Sequence, residues 1–115
     1  MSRPMAYTDG MSTVLESRQE ITDRIRGLTP ELRSLGVARL ALFGSFVRDS
    51  QHAGSDVDLL IEFAPGCKSY DNFSAACDLL EEELGRRVEL VTIESLSPFI
   101  GPKILREAKD VFVAA

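Results

Sequence analysis

Tryptophan is absent from the 115 residues, histidine occurs once and cysteine twice. So few soft ligands exclude a zinc centre. Cys67 and Cys77 are spaced as no common ligand pair is, and His52 alone cannot complete a set. Two cysteines make no disulfide framework either. Both read as reduced thiols, which points to a cytoplasmic protein. No stretch approaches the ~18 apolar residues that span a bilayer. Met1–Gly10 carries no apolar signal core. Positive charge is in deficit, 13 Lys and Arg against 18 Asp and Glu, for a net charge of −5. That balance excludes a general nucleic-acid coat, whose phosphate contacts require a basic field. Internal repeats, low-complexity tracts, a dinucleotide fingerprint and a Walker loop are also missing.

What is present suits one compact domain: 44% of residues are hydrophobic and 27% charged. Residues 1–11 read as a flexible arm, because Pro4, Asp9 and Gly10 punctuate them and no period emerges. Residues 12–115 read as a single domain. Thr13 and Glu16 have capping-box spacing, and Val14, Ile21, Ile25 and Leu28 follow at helical intervals. A short helix from Pro30 to Leu35 is closed by Gly36. Val37–Phe43 and Asp56–Phe63 read as strands, and a third runs from Val88 to Ile93. Between the last two, Asp71–Leu84 places Phe73, Ala76, Cys77, Leu80 and Leu84 on one stripe of a helix that Gly85 caps. Ser97-Pro98 opens a last helical segment, expected to kink at Gly101-Pro102. Val111–Val113 fits a terminal strand or a docking tail. The order predicts an α/β fold, a small mixed sheet of three or more strands flanked by helices.

The chemistry-bearing stretch is Gly44-Ser45, ten residues, then Asp56-Val57-Asp58. A glycine at a strand end allows a tight turn and a close approach to a ligand. Ser45 offers a hydroxyl and an amide suited to a phosphate oxygen. Asp56 and Asp58 stand two apart on a strand, so both point to one face, about 6.5–7 Å apart. Asp is depleted in strands, and two like charges on one face of an apolar strand call for a cation. Oxygen-only ligands favour magnesium or manganese. A metal-carboxylate pair beside a phosphate-binding Gly-Ser is equipment for transferring a nucleotidyl or phosphoryl group. The bland reading makes Gly44 a turn, Ser45 a cap and the aspartates strand-edge charges; all four together favour the functional one. Arg48 reads equally as a phosphate contact and as a surface arginine. Lys103 and Arg106 read as solvated surface, and Gly54-Ser55 as the turn that sets Asp56 in place.

Leu42-Phe43-Gly44-Ser45-Phe46-Val47-Arg48 followed by Gly54-Ser55-Asp56-Val57-Asp58-Leu59-Leu60 resembles the signature of the DNA polymerase β-like nucleotidyltransferases. The short length and Arg87-Val88-Glu89-Leu90-Val91 resemble their minimal nucleotidyltransferase (MNT) branch. The resemblance covers about residues 12–113 and implies a polymerase β palm-like fold. It implies nucleotide binding by Gly44 and Ser45, with Arg48 and Ser55 beside them, and metal binding by Asp56, Asp58 and a third carboxylate. Glu89 takes the third position, where the family most often has Asp, with its carboxylate about 1.5 Å further out. Glu62, about 13 Å beyond Asp58 along the strand, is too far to share the metal.

The resemblance also implies ATP as substrate and a HEPN-type helical toxin as partner, AMP passing to a toxin tyrosine and this chain serving as antitoxin. The alternative is a catalytically weak or inactive MNT-fold binding module that neutralises its partner by occlusion. A third reading is a small-molecule nucleotidyltransferase whose acceptor site lies at a homodimer interface.

Overall fold

The computed structural model describes residues 18–47 and 56–114, without the side chain of Ser45. The arm at 1–11, the Thr13–Glu16 capping box, Arg48, His52, Gly54 and Ser55 lie outside the described residues. The elements run α1 (Arg18–Arg26), α2 (Thr29–Ser34), β1 (Val37–Phe43), a 3-10 turn (Gly44–Phe46), β2 (Val57–Phe63) and α3 (Tyr70–Leu84). After these come β3 (Val88–Thr92), a second 3-10 turn (Ile93–Ser95), α4 (Gly101–Glu107) and β4 (Lys109–Val113).

Among the described residues four strands form one mixed sheet in the order β3-β2-β1-β4. β1 pairs antiparallel with β2 and with β4, and β2 pairs parallel with β3. The parallel pair requires a long crossover, and α3 supplies it. Ser69 starts that helix by accepting the Asn72 amide at 3.1 Å, and Gly85 ends it in the left-handed conformation, φ 67°. β4 is the expected terminal strand, an edge strand against β1.

The strands bury both faces at their centres, which is why Leu59-Leu60-Ile61 reads as an unbroken apolar run. One face carries Leu40, Leu42, Val57, Leu59, Ile61, Val88 and Leu90 into the main core with Ile21 and Ile25 of α1, Leu32 of α2 and Ala76, Leu80 and Leu84 of α3. A bulge between Val37 and Arg39 changes the strand's parity, so Val37 joins this core too. The other face carries Ala41, Phe43 and Leu60 into a smaller core with Val91, Ile93, Leu96, Ile104 and Ala108.

The last helix departs from expectation. It starts at Gly101, with Pro102 in its first turn, and is not a longer helix kinked there. Upstream, the Ser97 hydroxyl accepts the amides of Phe99 and Ile100 at 3.3 and 3.1 Å. The Gly101 amide then donates to the Ser97 carbonyl at 2.8 Å. These bonds make a turn that hands the chain to α4 without helix before it.

Candidate active site

Gly44 leaves β1 with φ +80°, a backbone conformation that side chains disfavour. A Cβ there would land on the Asp58 carboxylate, so the position accepts glycine for two independent reasons. The tight turn expected at Gly44 is present, and its close neighbour is the Asp58 side chain. The following 3-10 turn is anchored by Phe46, fully buried in the main core. The Arg86 guanidinium lies 5.2 Å from the Phe46 ring centroid. The Val47 amide closes the turn on the Gly44 carbonyl at 3.1 Å.

β2 brings the aspartates. Asp58 is half-buried and pairs in register with Phe43 on one side and with Glu89 on the other. Register partners on neighbouring parallel strands point to the same face, with backbones about 4.8 Å apart. Asp58 and Glu89 are therefore side by side, and Asp56, two residues before Asp58, is half-buried at the entry to the same strand. The entry is fixed by two bonds. The Val57 amide donates to the Arg87 carbonyl at 2.9 Å, and the Val88 amide to the Glu81 carboxylate at 2.9 Å.

Glu62 has another occupation. Arg39 reaches it at 3.4 Å and holds Asp110 at 2.7 Å. The hydrogen bond that Arg39 donates to Asp110 is the chief reason its guanidinium is held even more firmly protonated than usual. Lys103 and Arg106 are exposed on α4. Cys67 and Cys77 are free thiols, and burial is the first cause pushing the Cys77 thiol up.

Glu107 is the residue that sequence reasoning missed. It ends α4, and its Oε2 accepts the Gly44 amide at 3.1 Å. The available signal was electrostatic: a carboxylate in the last turn of a helix faces the negative end of the helix dipole and needs a compensating donor.

The oxygen-only donor set of Asp56, Asp58 and Glu89 fits a hard divalent cation. Among the described residues, however, no group of three or more His, Cys, Asp or Glu side chains stands arranged to hold a metal. Backbone register brings Asp58 and Glu89 to one face, and Asp56, expected as the first residue of the strand, stands just before β2. No described helix is long and apolar enough to cross a membrane.

A family profile described as "Nucleotidyltransferase domain" matches residues 25–111, which span every one of these positions. The chain is 40% identical over 86 residues to the provisionally named protein adenylyltransferase MJ0435 of Methanocaldococcus jannaschii, covering 75% of this chain and 91% of that one. It is 38% identical over 90 residues to protein adenylyltransferase MntA of Thermococcus cleftensis, covering 77% and 90%. Among solved structures, one provisionally described as a minimal nucleotidyltransferase superposes with a TM-score of 0.69 at 29% identity, covering 81% of this chain and 94% of that chain. The tri-AMPylated Shewanella oneidensis HEPN toxin in complex with MNT antitoxin gives a TM-score of 0.58 at 20% identity, covering 84% and 72%, a likeness of fold.

Proposed function

Because this chain belongs to the nucleotidyltransferase domain family, we propose that it transfers AMP from ATP to a hydroxyl on a partner protein, and that the partner is a HEPN-type toxin for which it is the antitoxin. The observation that carries this reading is the pairing of Asp58 with Glu89 beside the Gly44 turn. It is supported by two relatives named as protein adenylyltransferases and by the fold shared with an MNT antitoxin in complex with a tri-AMPylated HEPN toxin.

In this reading Asp56, Asp58 and Glu89 hold a divalent cation, magnesium or manganese, which when bound offsets charge on the phosphates. Gly44 and Ser45 receive the triphosphate through the turn, and Arg48 and Ser55 are the further residues assigned to nucleotide binding. Glu89, the most exposed of the three carboxylates, takes the acceptor's proton in this reading. The acceptor oxygen bonds to the α-phosphorus, the bond from that phosphorus to pyrophosphate breaks, and the hydroxyl proton goes to Glu89. Pyrophosphate leaves and AMP stays on the partner. The free thiols agree with a cytoplasmic setting.

The test is mass spectrometry of a HEPN-type partner after incubation with this protein, ATP and magnesium. The expected product is the partner plus one or more AMP groups, absent with Asp58→Asn. An unmodified partner that is nonetheless neutralised equally by both proteins would establish the second reading, a binding module acting by occlusion. Glu89, standing where the family most often has Asp, is what favours that alternative.

A further inference from the structure

Glu107 sits where local electrostatics disfavours it, at the end of a seven-residue helix whose C-terminal dipole repels a carboxylate. Departures of this kind from local rules mark functional or strained positions. One compensating donor is the Gly44 amide, which donates to Glu107 Oε2 at 3.1 Å. Gly44 is buried, and its positive φ turns the chain sharply at the end of β1. The same residue lies beneath the Asp58 carboxylate. Gly44 thereby has acids from different elements on two sides: Asp58 of β2 stands against its Cα, and Glu107 of α4 accepts its amide. The next residue in α4's path is Ala108, packed in the smaller core, and β4 then pairs with β1. The helix end that carries Glu107 is consequently fixed relative to the strand that carries Gly44.

We propose that Glu107 is a positioning residue for the phosphate-binding turn. Its carboxylate fixes the Gly44 amide and so sets the direction in which the Gly44–Phe46 turn leaves β1 towards the donor nucleotide. The inference rests on the nucleotidyltransferase reading and adds to it a residue far along the chain from the Gly-Ser motif. Phe46 holds the far end of the turn in the main core; Glu107 holds the near end. A turn fixed at both ends presents its amides to a phosphate without reorganising, which is the condition for tight binding of a pre-formed anion.

The experiment compares the full chain with Glu107→Ala and Glu107→Gln. Three readouts are taken: hydrogen exchange of the Gly44 amide, the affinity for ATP with magnesium by titration calorimetry, and transfer kinetics on a HEPN-type partner. Loss of a group that orients a binding residue commonly costs 10- to 100-fold. In Glu107→Ala, Gly44 exchange should accelerate and ATP affinity should fall by about that factor, with KM for ATP rising more than kcat falls. Glutamine can accept the same amide through its carbonyl oxygen, so Glu107→Gln should recover protection and most of the affinity.

Unchanged ATP affinity in Glu107→Ala overturns the proposal. So does Glu107→Gln behaving like Glu107→Ala, which would mark the charge rather than the amide bond as essential. A wild-type protein that binds ATP but transfers nothing strikes the transfer reading and leaves this test intact. A wild-type protein that does not bind ATP overturns both.

Discussion

Alternate residues of β1, β2 and β3 enter two unlike surroundings. Leu42, Leu59, Val88 and Leu90 face a core closed by α1, α2 and α3. Phe43, Asp58, Leu60 and Glu89 face the other way, towards a smaller core covered by α4 and the second 3-10 turn. The first face carries helix upon sheet and serves stability. The second is apolar in its middle and acidic at the end nearest Gly44, so it can afford groups that chemistry needs and folding does not. Because the two sets alternate on the same strands, the large core fixes the backbone that aims the carboxylates.

This division can be broken by single substitutions. The largest effect is expected for Asp58→Asn, which keeps shape and removes the charge. Transfer should fall by about 10²- to 10³-fold, the usual cost of removing one electrostatic group from a site. The thermal midpoint should stay nearly unchanged, and a variant that keeps its activity would dissolve the distinction between the faces. Leu59→Ala, its immediate neighbour on the opposite face, should do the reverse. Leu59 is fully buried, so urea denaturation should show a loss of about 2–5 kcal/mol. The folded fraction should transfer AMP at the normal rate.

Gly44→Ala tests the seam between the faces. The left-handed backbone alone costs about 1–2 kcal/mol. The new methyl would also displace the Asp58 carboxylate, so stability and nucleotide affinity should drop together. The smallest effect belongs to the far end of the second face. Arg39, Glu62 and Asp110 form a half-exposed network there, and Asp110→Asn should cost only about 0.2–1 kcal/mol, less at high salt. A larger loss would mean that this end of the face also carries the fold.

Much of this was legible in the chain. Val37–Phe43 is read correctly to the residue, and the helix ending at Gly85 differs by one residue at its start, because the apolar periods and glycine stops are local signals. Gly101-Pro102 is ambiguous by its nature. Proline kinks a helix interior and opens a helix start equally well, and only the Ser97 bonds select the second. Of the residues gathered at the candidate site, Gly44, Asp56, Asp58 and Glu89 were named from the sequence. Glu107 was not, because its partner lies 63 residues away and no motif links them.

By itself the sequence determined where most strands and helices lie, where the chain must turn, and that two aspartates stand two apart at the head of a strand. Those are consequences of neighbours and periods along the backbone. Tertiary structure decided that Glu89 lies beside Asp58, that Lys109–Val113 closes the sheet's edge, and that a helix-terminal acid grips Gly44. Strand register and helix docking are settled by which large apolar surfaces can be buried together, and that choice is made across the whole chain rather than at any one place in it.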